Sequence, residues 1–207
     1  MLLAALGIAC TTRAGLGTTP ISTVPFTASK ITGLSFGTCT ILLNFLFVAG
    51  QIALLWRRYS PLNLVQIPVG FLFGAFIDLS MHWTEWLHAG NWLLAALLSL
   101  LGNLILAFGT VMQIRSKTIV QPGEGLVIAA AALAKTSFGA MKIANDVSLT
   151  ALAAAMGFFA LGAVVGIREG TIASAVMIGF FAKAIEKMLS RRFPEAPAGE
   201  PHEVPLK

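Results

Sequence analysis

Charge is what this chain has least of. Only 11% of its 207 residues are Asp, Glu, Lys or Arg, against roughly 25% in an ordinary soluble domain. A chain that is 57% hydrophobic cannot be clothed in water with so few charges, so a soluble globular fold is excluded. Cysteine is scarce too. Cys10 and Cys39 stand apart in apolar segments with no CxxC spacing, which rules out a disulfide framework or a zinc site and leaves them as small packing residues. No Ser-His-Asp, HExxH or paired-carboxylate pattern occurs, so the chain is not expected to be an enzyme, and no cofactor is called for. His82 and His88 share a loop with Glu85 but no further ligand is near, so no metal site is expected. Gly15-Leu16-Gly17 and Gly123-Glu124-Gly125 lack the strand and lysine of a phosphate-binding loop. The short alternating strands of a closed barrel are also missing.

Long apolar runs are what the chain does have. Gly37–Trp56, Leu62–Met81, Asn91–Gln113 and Val147–Ile167 are of spanning length, and Thr171–Leu189 is a fifth, interrupted by Lys183 and Glu186. About 20 apolar residues cross the hydrocarbon core as a helix. These runs define an all-α membrane protein, a polytopic helical bundle whose first partner is the lipid bilayer. The net charge of +5 resides in Arg57-Arg58, Arg115/Lys117 and Arg191-Arg192 beside the spans. The positive-inside rule accounts for such clusters, and no nucleic-acid partner is needed.

The chain also repeats itself. Gly15-Leu16-Gly17 leads into Leu34-Ser35-Phe36-Gly37, and Gly123-Glu124-Gly125 into Thr136-Ser137-Phe138-Gly139; Gly74 to Asp78 matches Gly179 to Lys183. A duplicated membrane unit with glycine-rich breaks is a common transporter plan. Each half reads as a span, a break, a short helix and two further spans. Half one comprises Met1–Thr12, Arg13–Thr19, Pro20–Thr32, Gly37–Trp56 and Leu62–Met81. Half two comprises Asn91–Gln113, Ile114–Glu124, Gly125–Lys135, Lys142–Ile167 and Thr171–Leu189. The division is 1–82 for the first membrane repeat, 83–90 for an outer loop, 91–190 for the second repeat and 191–207 for a disordered cytoplasmic tail.

Short helices of about a dozen residues reach roughly 18 Å, half a bilayer, and are expected to enter without crossing. Three spans per half then make the halves inverted. The basic clusters fall on the cytoplasmic side, and Trp83, Trp86 and Trp92 form an interfacial belt outside; Arg13, Lys30 and Arg168 run against this pattern. Met1–Thr12 lacks the basic start of a signal peptide. It parallels the end of the later span, since Leu6-Gly7-Ile8 before Arg13 matches Phe108-Gly109-Thr110 before Arg115. Twelve residues do not cross a bilayer, so the first helix is partial or the chain begins upstream.

These motifs resemble those of the YczE/YyaS/YitT group of uncharacterised bacterial membrane proteins. The resemblance rests on Arg13 to Ser22, Gly74 to Asp78, Pro122 to Leu126 and Arg168 to Thr171, and runs from about Leu6 to Met188. It implies a polytopic protein of the bacterial inner membrane with duplicated halves, and no particular activity. The short N-terminus departs from the complete first span such proteins carry.

Ionisable groups inside spans are costly and need a reason. Lys142 and Asp146 are four residues apart and can pair across one helical turn, either as a structural pair or as part of a solute or proton site. Glu124, in the break before the second short helix, is either an anchor favoured by the helix dipole or a cation site beside a broken helix. Asp78 corresponds to Lys183 and Asn44 to Asp146, with Gln51 and Gln66 as neighbouring amides. Such amides ordinarily serve as helix–helix hydrogen bonds. Gly15, Gly17, Gly123 and Gly125 mark the expected breaks. The function read from this pattern is transport of a small polar solute by alternating access, with Glu124, Lys142, Asp146, Asp78 and Asn44 near the path. The alternative is a membrane protein that acts through a partner in assembly or regulation. The solute is not named by the sequence, and a homodimer remains open.

Overall fold

A computed structural model describes residues 1–56, 59–116 and 120–192. Arg57, Arg58 and Lys117 lie outside the described residues, as does the expected disordered tail apart from Arg191 and Arg192. Eight α-helices follow in order: α1 (Leu2–Arg13), α2 (Pro20–Thr32), α3 (Phe36–Leu55), α4 (Gln66–Trp83), α5 (Trp92–Arg115), α6 (Pro122–Ala134), α7 (Phe138–Leu161) and α8 (Glu169–Arg192). A 3-10 turn, Pro61–Val65, leads into α4, and no strand occurs among the described residues. Among the described residues four helices are long and apolar enough to cross a membrane: α3, α4 with its leading turn, α5 and α7. Lys183, Glu186 and Lys187 interrupt the apolar character of α8, and α1 has 12 residues.

Local chemistry sets the helix ends, and it recurs 102 residues later. α2 opens on Pro20 after an extended Thr19, and α6 on Pro122 after an extended Gln121. Proline fits a first helical position because its missing N–H would have had no partner there. Each of these helices has 13 residues and stops at a left-handed residue, Gly33 (φ +75°) or Lys135 (φ +51°). Ser35 and Ser137 then cap the next helices; their Oγ atoms accept from the N–H of Thr38 (3.0 Å) and of Ala140 (3.2 Å).

Several boundaries differ from the sequence reading. The short helix of half two begins at Pro122, not Gly125, because proline starts it. α7 begins at Phe138 under the Ser137 cap and ends at Leu161, where left-handed Gly162 (φ +68°) breaks it, so the window Val147–Ile167 is displaced. α8 reaches Arg192, past the apolar window ending at Leu189.

Glycines fix how the helices cross. Gly109 lies on Leu3 and Ala4, Gly7 on Gly102 and Leu106, and Gly102 on Thr11. As α1 advances its partners on α5 recede, so the two run antiparallel. α1 runs parallel to α4, with Ala4, Ala5 and Ile8 against Phe73 and Ile77 and Arg13 Nη2 donating to the Met81 carbonyl at 2.9 Å. α5 runs parallel to α8, since Trp92 stands beside Glu169 at their starts and Arg115 meets Glu186 at 3.3 Å near their ends. One end of the bundle therefore carries Arg115 and Arg191, and the other carries the exposed Trp83, Trp86 and Trp92.

The two short helices start in the middle. Val24 packs with Phe47, Leu149 and Ala153, and further along α2 Thr27 Oγ1 donates to the Val165 carbonyl at 3.0 Å, beyond the end of α7. α2 thus runs from mid-bundle to the tryptophan end. α6 starts with Gly123 against Ile21 and Phe47, then sets Gly125 against Gln51, whose partner Gln66 begins α4. It runs from mid-bundle to the basic end. The starts of α2 and α6 meet at Ile21 and Gly123.

The α1–α5 crossing leaves no room for a side chain. A Cβ on Gly102 would lie 2.8 Å from the Thr11 nitrogen and 2.9 Å from the Gly7 oxygen, both backbone atoms that cannot move aside. Gly102→Leu is expected to cost about 1–3 kcal/mol by overpacking, read as a lowered midpoint of thermal unfolding in detergent. A variant as stable as the parent would contradict the crossing.

Candidate functional site

The structure brings three of the five proposed site residues together. Lys142 and Asp146 occupy successive turns of α7, with Nζ 3.4 Å from Oδ2 and side chains 35% and 21% exposed. Glu124, the third residue of α6, lies within electrostatic reach of both. Its carboxylate makes no hydrogen bond or salt bridge among the described residues. It sits in the first turn of a helix that begins mid-bundle, where unpaired N–H groups and the helix dipole favour an anion. The three groups carry a net charge of minus one when all are ionised.

Gln51 supports this site from behind. It is buried, and its Nε2 donates to Gln66 Oε1 and to the Pro122 carbonyl, both at 2.9 Å. One amide therefore ties the start of α6 to α3 and α4. Gly125 is packed onto that amide, where an added Cβ would come 2.7 Å from Gln51 Oε1.

Gly123 and Gly125 thus serve close approach inside the first turn of α6, and the expectation of a break there is corrected. Gly15 and Gly17, at φ +73° and +107°, do lie in a break, the linker before α2. Because Pro20 and Pro122 start equivalent helices, the helical counterpart of Glu124 is Ser22 and not Leu16. Ser22 is buried and accepts from the Thr19 hydroxyl at 2.8 Å.

Asp78 and Asn44 lie elsewhere. Asp78 Oδ1 accepts from the Gly37 N–H and Oδ2 from the Ser35 hydroxyl, each at 2.6 Å. Two short charge-assisted bonds hold the first turn of α3 on α4. Asn44 Nδ2 reaches the Gly70 carbonyl at 3.4 Å, a helix–helix contact along the same seam. His82 and Glu85 are 3.7 Å apart and exposed; no group of three His, Cys, Asp or Glu suited to a metal occurs among the described residues.

Two polar features escaped the sequence reading. Thr18, Thr19, Ser22, Thr23 and Thr27 are buried around α2, with hydroxyls bonded to one another or to carbonyls. The density of Thr and Ser around Pro20 was the available signal. Asn103 on α5 is fully buried and neither of its amide atoms has a partner among the described residues; a lone amide within the apolar run of α5 was its signal.

The Lys142–Asp146 pair makes a double-mutant cycle informative. Lys142→Met or Asp146→Asn alone leaves one partly buried charge without its partner, whereas both together remove the problem. Each single variant is expected to lose more stability than the double, with a coupling on the order of 1 kcal/mol for a pair this exposed. Additive losses in thermal unfolding would mean the two charges act independently.

Apolar helices of spanning length around a sparse polar interior define a helical membrane protein. More particularly, the chain belongs to a protein family of unknown function, DUF6198, which it matches over residues 1–187. No curated protein matches it, and no solved structure does.

Proposed function

We propose that this chain is a multi-pass protein of the bacterial inner membrane that moves a small polar solute by alternating access. The site is built from Glu124, Lys142 and Asp146. The observation that carries the reading is Glu124: a carboxylate with no hydrogen bond among the described residues, at the start of a helix that begins mid-bundle, within electrostatic reach of a charged pair on α7. Intramembrane ionisable groups beside discontinuous helices are where transporters bind their substrates and coupling ions. A net charge of minus one suits a cation, a proton or a solute bearing an ammonium group, and selects against a simple anion.

Several features support an inverted duplication. α1 and α5 hold the same place in the two halves and run antiparallel. Helix pairings also exchange when the halves are exchanged: α1 with α4 and α5 with α8, α2 with α7 and α6 with α3, α2 with α8 and α6 with α4. The short helices then enter from opposite sides and return, leaving α1, α3 and α4 against α5, α7 and α8, of which α1, with 12 residues, is a partial span. The basic end, with Arg115 and Arg191, faces the cytoplasm, and the tryptophans mark the outer interface. The three cations on the outer side have local partners: Arg13 the Met81 carbonyl, Arg168 the Gly15 carbonyl at 3.2 Å, and Lys30 the ring of Phe26 at 5.3 Å. Kinship with the YczE/YyaS/YitT group, carried by the motifs named above, fits the same membrane.

Purified protein screened for thermal stabilisation against metabolites and ions at several pH values tests this reading. A stabilising compound is expected, and Glu124→Gln or Asp146→Asn should abolish its shift while leaving the unliganded protein folded. Stabilisation that survives both substitutions would place the solute elsewhere. No stabilisation at all would favour action through a partner.

A further inference from the structure

The two halves use the same residues to make one sealed helix seam and one open one. In half one α3 and α4 meet backbone to backbone at Gly37 and Gly74, where a side chain on either would drive into the other's carbonyl. Ile41 packs over Gly74, Asn44 reaches Gly70, and Asp78 clamps the first turn of α3. Half two places Gly139, Ile143 and Asp146 on α7 where α3 has Gly37, Ile41 and Asn44. It places Gly179 and Lys183 on α8 where α4 has Gly74 and Asp78.

These two helices stand apart. A Cβ built on Gly139 or on Gly179 meets nothing within 4 Å, and Ile143 is 67% exposed. α8 is not detached, because Ile185 on its other flank is buried against Ala107 and Val111. Away from that flank α8 is bare: Ala175 and Gly179 are exposed, as are Ile172, Val176 and Phe180. Charge explains the difference. Asp78 can accept the N–H groups at the start of α3, but Lys183 cannot do so for α7, since a cation is repelled by a helix N-terminus.

We propose that α7 and α8 form a gate that closes onto Gly139 and Gly179 as α3 and α4 close onto Gly37 and Gly74, and that the two seams open alternately. The inference rests on the transport reading above. In a pair of inverted halves, each half adopts in one access state the packing that the other half holds in the opposite state. Gly139 is in the first turn of α7, at the basic end, and Gly179 lies near the middle of α8. The open seam therefore faces that end, and Lys142 and Asp146 stand one and two turns further along α7. The structure is the state in which the site opens to the cytoplasm, and Asp78 is the latch of the closed outer seam.

Disulfide trapping tests the gate without any solute. Ile143→Cys and Gly179→Cys are introduced together into a chain carrying Cys10→Ala and Cys39→Ala. The chain is reconstituted in vesicles with an excess of unlabelled, cysteine-free chain and oxidised with copper phenanthroline. A disulfide requires Cα atoms within about 7 Å, so it forms only when the helices meet. An intramolecular disulfide is expected, formed several-fold faster when Asp78→Asn weakens the latch. Gly139→Leu, which meets open space in the present state, should leave the unfolding midpoint unchanged yet suppress the disulfide several-fold by blocking closure.

No disulfide, an unaltered rate in Gly139→Leu, or a product that disappears on dilution with unlabelled chain would overturn the gate; the last would assign the seam to a second copy. None of these results touches the solute site, which stands or falls with the Glu124→Gln stabilisation.

Discussion

Two helices that begin in the middle of an apolar bundle impose the constraint on which the rest depends. A helix start carries backbone groups without intrahelical partners, and away from water each such group must be satisfied within the protein. Proline at the first position of both α2 and α6 removes one donor from the problem. The Thr23 hydroxyl donates to the Pro20 carbonyl at 2.6 Å and the Gln51 amide to that of Pro122 at 2.9 Å, whereas the groups a helix start leaves free are N–H donors. The Gln51 amide thereby ties the start of α6 to α3 and α4. Glu124 belongs to the same logic, because a carboxylate is the charge most easily held at such a start.

The half-helices differ in how this is done, and the difference gives the protein one polar site rather than two. Around α2 the polar atoms are neutral, buried and bonded among themselves. Around α6 a glutamate stands where α2 has Ser22, and α7 supplies Lys142 and Asp146 where α3 has Thr40 and Asn44. One half provides a self-satisfied packing unit, and the other keeps charge within reach of solvent. The Asp78 and Lys183 exchange divides the seams in the same way, since a carboxylate seals α3 to α4 and a lysine cannot seal α7 to α8.

Membership in a family of unknown function places the chain among its relatives and leaves chemistry to the site. The reading offered for that site depends on Glu124 and on a pair of charges no more than half exposed, not on any feature shared by all helical membrane proteins. The proposed alternation of the seams would connect the site to movement through the same few residues, because the glycines that let α3 and α4 touch are present on α7 and α8 with nothing against Gly139 and Gly179.

The membrane class, the helix count, the matched short helices and the pairing of Lys142 with Asp146 were legible in the sequence. They depend on composition, on proline and serine at helix starts and on spacing along a single helix, all of them local properties. The two GxG pairs are 108 residues apart in the sequence, whereas the proline-started helices begin 102 apart. Only packing separates a glycine that breaks a chain from one that admits a neighbour. Asp78 as a clamp on α3, Asn44 as a helix contact, and the convergence of Glu124 with α7 were decided by tertiary structure. Each depends on which residues distant in sequence face one another, and that is set by helix direction and by the close crossings at Gly7, Gly102, Gly37 and Gly74, which no local pattern encodes.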